Sequence, residues 1–274
     1  MIPEAAVKRL ARLQRVDPVV VDRDHALGVV LWALAPELKT AGWVFKGGTC
    51  LRKCYYGDYR FSEDLDFTAV GSLRRGEAEA LVARAASRAA GEGIRLLLDE
   101  LHTEVMDDEY GRESFEIKVP YQGALRMGSS PSVQLHLSAH EEMVFPVDER
   151  RLIHPYDDRS VLRAVLPCYS LEEVLTEKLR AVAGQRKFAV ARDVYDIAQL
   201  MVRGDVEQDA AVAVLPRKAE VKGVDLSEAR QRFLEREAEY RVSWNRTLVH
   251  LTTVDADFTE AFETTAGLLA RIST

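Results

Sequence analysis

The sequence predicts a mixed α/β half, of the α+β type with a mixed sheet, followed by a nearly all-α half. Three observations predict it. Up to about Pro167, helical patterns alternate with short β-like runs. Beyond Pro167, the patterned segments carry the helical period. The composition, 47% hydrophobic and 30% charged over 274 residues, is that of a globular chain with ample apolar material for a core. The expected domains are therefore 1–166, an α/β domain, and 167–274, a helical domain closing a ligand groove.

Taken in order, Glu4 to Arg15 is an amphipathic helix and Asp24 to Thr40 a second, richer in apolar residues. Trp43 to Lys46 is a short strand that stops at Gly47-Gly48, and a helix opens beyond it with Thr49 as the expected N-cap. Alternation predicts strands at Leu65 to Val70, Ile94 to Leu98, Phe115 to Tyr121 and Val133 to Ser138, with a helix at Arg75 to Gly91. The second half reads as helices at Leu171 to Ala183, Val190 to Val202, Val206 to Leu215, Ser227 to Tyr240 and Asp257 to Ile272. Gly184, Gly204 and Pro216 are the expected punctuation.

Several function classes are excluded at this level. A formal charge of −7 argues against a general nucleic-acid-coating surface. One local exception is Lys178 to Arg192, where Lys178, Arg180, Arg186, Lys187 and Arg192 occur without an acidic residue among them: a basic patch or a solvated helix end. Apolar runs such as Ala26 to Ala35 fall short of the roughly 20 residues of a membrane span, and the N-terminus lacks a signal-peptide pattern, so a cytoplasmic protein is expected. The three cysteines are an odd number; Cys50 and Cys54 share one helix face, and neither a disulfide framework nor a zinc site is expected.

The residues that could carry chemistry fall in three places. The Gly47-Gly48 turn between strand and helix lets a ligand approach the backbone, and the N–H groups beyond it suit phosphate, although such turns are also common architecture. In Arg60-Phe-Ser-Glu-Asp-Leu-Asp-Phe67, strand alternation points Asp64 and Asp66 one way and Leu65 and Phe67 into the core. Two such carboxylates can chelate Mg²⁺ together with substrate phosphates. Lys178 lies within the apolar stripe of its helix, and Asp193 lies at the edge of the next one. Either the two pair with each other or both line the active groove.

Together these motifs resemble the AbiEii/MenT-type toxins of type IV-like bacterial toxin–antitoxin systems, members of the nucleotidyltransferase superfamily with a polymerase β-like core. The resemblance rests on Phe45-Lys-Gly-Gly-Thr49 with Leu51 and Lys53, Arg60 to Asp66, Ser170 to Lys178, and Arg186 followed by Arg192-Asp-Val-Tyr-Asp196. It implies a catalytic set of Asp64, Asp66, Lys178 and Asp193, with Asp64 and Asp66 holding Mg²⁺. The implied nucleotide-binding set is Gly47, Gly48, Thr49, Lys53, Ser62 and Arg192. The implied reaction moves a nucleoside monophosphate from an NTP to the 3′ end of tRNA and releases pyrophosphate, with a cognate antitoxin as partner. A protein or small-molecule acceptor is the alternative, and a binding protein that merely retains the fold is a third reading. Many nucleotidyltransferases carry a third carboxylate on a later strand, where this chain has His136. The attacking base is thus open between Asp193 and activation by the metal alone, and His136 stays off the catalytic set as a half-buried strand residue.

Overall fold

A computed structural model describes residues 2–107, 113–125, 130–139, 141–248, 250–252 and 256–272. The chain divides into two compact units, one of residues 1–141 and 147–168, the other of residues 142–146 and 169–274.

The first unit is organised around α2 (Pro18–Ala41), which follows α1 (Glu4–Gln14). The helix α2 begins six residues before the expected Asp24, because the Asp17 side chain accepts from the Val19 N–H and Pro18 occupies the first turn. Its apolar residues from Ala26 to Leu34 are almost all fully buried, so the run that is too short for a membrane is a core helix. No helix among the described residues is long and apolar enough to cross a membrane.

Among the described residues, eight strands form one mixed sheet: β1 (Trp43–Lys46), β2 (Asp64–Ala69), β3 (Arg95–Leu96), β4 (His102–Asp107), β5 (Glu113–Gln122), β6 (Ser132–Ser138), β7 (Asp148–Arg151) and β8 (Val165–Cys168). Their order is β3-β5-β6-β2-β1-β8-β7, with β4 alongside β5. The β2–β6 and β1–β8 pairs are parallel and the others antiparallel. The short α3 (Gly47–Cys50) continues into a π-turn at Leu51–Tyr55, and α4 (Arg75–Gly91) has the bounds its sequence predicts. The strand expected at Ile94 to Leu98 shrinks to the two residues of β3, followed by a 3₁₀ turn at Leu98–Glu100.

The helix α2 also carries buried charge. Asp24 accepts from Arg52 Nε at 2.8 Å, Lys53 Nζ at 2.7 Å and the Tyr156 hydroxyl at 2.6 Å. At the next residue, His25 Nε2 lies 2.8 Å from Asp158, which His154 Nε2 also meets at 2.9 Å. Burial, reinforced by Lys53 and His25, pushes His154 down to about 4; burial likewise lowers His25 against the opposing pull of Asp158. Both imidazoles are therefore neutral in the fold and take up protons more readily in the unfolded chain. His154 should make stability fall as pH drops from about 6.5 toward 4, by up to ~1.4 kcal/mol per pH unit, and His25 adds a loss of the same sign. Thermal melts at pH 7.5 and 5 check this, and His154→Gln should flatten the profile.

The second unit contains α5 (Leu171–Arg180), α6 (Ala191–Arg203), α7 (Gln208–Val221), α8 (Ala229–Glu235), α9 (Glu237–Thr247) and α10 (Phe258–Leu269). Ser170 caps α5, which runs into a π-turn broken at Gly184, where φ is 149°. Gly204 ends α6 in the left-handed region. Two expectations need correction. Pro216 lies inside α7 rather than ending a helix, and the single helix expected at Ser227 to Tyr240 is two, broken at Arg236. The core of α8, α9 and α10 is aromatic, with Phe233 stacked on Phe262 at 4.3 Å and Tyr240 beside both.

Candidate active site

In the first unit, β1 delivers the chain to Gly47 directly beside β2, since Lys46 pairs with Asp66 in the antiparallel register. Gly47 has φ +80°, and a side-chain carbon there would overlap the Asp66 carboxylate. At Gly48 an added carbon would lie 2.5 Å from Arg60 Nη2 and 3.1 Å from Ser62 Oγ. Both glycines are thus needed because the Arg60 to Asp66 segment folds closely over the turn. Thr49 corrects its expected role. Lys46 occupies the N-cap position, and the buried Thr49 hydroxyl instead donates to the Asp64 carbonyl at 2.5 Å, tying α3 to β2.

Along β2 the burial alternates as expected: Asp64 and Asp66 are half-buried while Leu65 and Phe67 are fully buried. The two carboxylates therefore share a face. On that face the register continues from Asp66 to His136 on β6, then to Glu116 on β5. His136 Nδ1 lies 3.1 Å from Asp66 Oδ1, and its Nε2 lies 3.5 Å from Glu116 Oε2. The hydrogen bond with Asp66 raises His136 above the usual histidine range despite burial, helped by the charges of Asp66, Asp64 and Glu116. The sequence reading left His136 outside the site and missed Glu116, whose one signal was its place on the polar face of the strand predicted at Phe115 to Tyr121.

Lys53 is a correction. It is fully buried and its ammonium is committed to Asp24, so it holds helix α2 instead of facing a nucleotide. Ser62, also buried, stays with the glycine turn.

In the second unit, Lys178 Nζ lies 2.6 Å from Asp193 and 2.9 Å from Asp196, and Arg186 Nε lies 2.7 Å from the other oxygen of Asp193. Burial alone would raise the Asp193 pKa, but Lys178 and Arg186 overcome it and hold the group below the usual carboxylate range. The pairing reading of Lys178 and Asp193 is therefore realised, with Asp196 as a third member. Arg192 is half-buried in the first turn of α6. The basic stretch from Lys178 to Arg192 is correspondingly reduced: Arg180 is buried against Gln185, and the Asp193 carboxylate just past the window takes Lys178 and Arg186.

No curated protein matches the sequence. Among solved structures, the chain is similar to MenT4, a nucleotidyltransferase toxin from Mycobacterium tuberculosis H37Rv, at 18% identity and a TM-score of 0.63, covering 100% of this chain and 91% of that one. This likeness establishes the fold, a mixed sheet with many helices of the MenT type. The family model described as the nucleotidyl transferase AbiEii toxin of type IV toxin–antitoxin systems matches residues 29–266. That span contains the glycine turn, both carboxylates of β2 and the Lys178–Asp193 pair, and the chain accordingly belongs to the AbiEii nucleotidyltransferase toxin family.

Proposed function

We propose that this chain transfers a nucleoside monophosphate from an NTP to the 3′ end of tRNA, releasing pyrophosphate, so that the tRNA no longer accepts an amino acid and translation stops. The observation that carries the nucleotidyltransferase chemistry is the Gly47-Gly48 turn seated against the Asp66 carboxylate, a phosphate-binding backbone beside two hard oxygen ligands. Support for the tRNA acceptor comes from the resemblance of the four motifs to MenT-type toxins. A toxin of this family implies an antitoxin partner, and action in the cytoplasm, where tRNA is charged, follows from the same reading.

Asp64 and Asp66 fit Mg²⁺ by the chemistry of their donors, alternate carboxylates on one strand face with room made by a glycine. The chemistry expected of Mg²⁺ there is neutralisation of negative charge on the triphosphate. The backbone of Gly47, Gly48 and Thr49, with Ser62, orients the NTP, and it is the resemblance to MenT-type toxins that gives Lys178 and Arg192 the remaining phosphate contacts. Asp193, already engaged by two cations, is a weak base and acts by holding the Lys178 ammonium in place with Asp196. The acceptor hydroxyl oxygen then bonds to the α-phosphorus as the bond to the β-phosphate breaks, and its proton passes to solvent. Such positioning accounts for most of the catalysis in phosphoryl transfer.

The test is label transfer from each of the four NTPs, labelled at the α-phosphate, to total tRNA with Mg²⁺. Label on tRNA from one NTP, absent with Asp64→Ala, is the expected result. A folded chain that labels no tRNA from any NTP overturns the tRNA reading, and label on a protein or small-molecule acceptor would replace it.

A further inference from the structure

All three cysteines of the chain meet at one buried point. Cys50 ends α3, Cys54 lies in the π-turn that follows, and Cys168 ends β8, brought beside β1 by its parallel pairing with Phe45. All three are buried, none is in a disulfide, and their sulfur atoms lie within 4.8 Å of one another. Among the described residues no histidine, aspartate or glutamate joins the cluster.

We propose that Cys50, Cys54 and Cys168 form a three-coordinate thiolate site for a soft, thiophilic metal ion of the copper(I) type. The donor set consists of sulfur alone, which selects soft ions over Mg²⁺ or Ca²⁺. Structural zinc takes four tetrahedral ligands, and among the described residues no fourth joins the three sulfurs, which favours copper(I) over zinc. A three-sulfur ring with metal–sulfur bonds of about 2.3 Å needs sulfurs about 4 Å apart, inside the observed limit. The π-turn is a second, independent indication, because such turns are rare and concentrate at functional sites. The surroundings favour a thiolate at one of the three. Burial raises Cys50, and at Cys168 the hydrogen bond with Cys54 and burial outweigh the lowering by Cys50, whereas at Cys54 hydrogen bonds from Cys168 and Cys50, with the charges of Arg150 and Lys53, overcome burial and lower it. Each remaining thiol that ligates releases its proton to solvent.

The experiment is an anaerobic titration of the reduced full chain with copper(I) against a chromogenic chelator, with zinc(II) in parallel. One copper(I) per chain held against the chelator, a raised melting temperature and markedly weaker zinc binding are expected. Cys168→Ala and Cys54→Ser should each weaken copper(I) binding by at least ~100-fold. X-ray absorption on the unsubstituted chain, which depends on no variant folding, should show three sulfur ligands. Loss of copper(I) to the chelator, zinc binding of equal strength, unchanged binding by a folded cysteine variant, or nitrogen or oxygen ligands at the metal would each overturn the proposal.

Discussion

Asp24→Ala should cost about 3–5 kcal/mol of folding stability, the loss typical when one partner of a buried ion pair is removed. The carboxylate is the shared acceptor of Arg52, Lys53 and Tyr156, and all four side chains are buried. Burial alone would raise the Asp24 pKa, but Lys53 and Arg52 hold it far below the usual carboxylate range. Without it, two cations remain in the core with no acid to balance them. A loss of that size is a large part of the ~5–15 kcal/mol that an ordinary domain possesses, so the variant should melt far earlier or fail to fold. Urea unfolding measures the effect. Adding Lys53→Met should recover part of the loss, since it removes one of the stranded charges. A variant within 1 kcal/mol of the parent would mean that the three donors find other acceptors.

Asp66→Ala should act oppositely, sparing the fold and removing the chemistry. Asp66 is half-buried on β2, and its loss opens no cavity among fully buried side chains. Nucleotide transfer should fall by at least ~10²–10³-fold, the scale for losing one electrostatic anchor of a transition state. The melting temperature should shift little. Expression without antitoxin should then slow growth for the parent and leave it normal for the variant. Transfer at the parent rate would remove Asp66 from the catalytic set.

What the sequence disclosed followed the range over which its signals act. Asp64 and Asp66 were legible because strand alternation is a local rule, and Gly47-Gly48 because a strand-to-helix turn is local too. Two strands at one side of the sheet were not: the edge strand β7 is Asp-Glu-Arg-Arg, with no apolar alternation, and β8 beside it contains Pro167. The partnership of Asp66, His136 and Glu116 depends on the register of three strands, and parallel pairing over 70 residues leaves no periodic trace. Lys53 reads as a motif lysine until Asp24, 29 residues earlier, is folded onto it. The basic stretch failed for the same reason: the carboxylate that neutralises much of it sits one residue past its end.

The five-residue segment 142–146, which belongs to the second unit while residues 147–168 return to the first, has a consequence for synthesis on the ribosome. The N–H groups of Val144 and Phe145 are held by the buried Glu173 carboxylate, which Lys218 also meets. During translation this segment emerges before β7 and β8, yet its acceptor is made later. All of the first unit is therefore made before Glu173, while residues 142–146 wait for their acceptor, and a fragment starting at Tyr169 would strand Glu173 without two of its donors. The two halves are interleaved in time as well as in sequence.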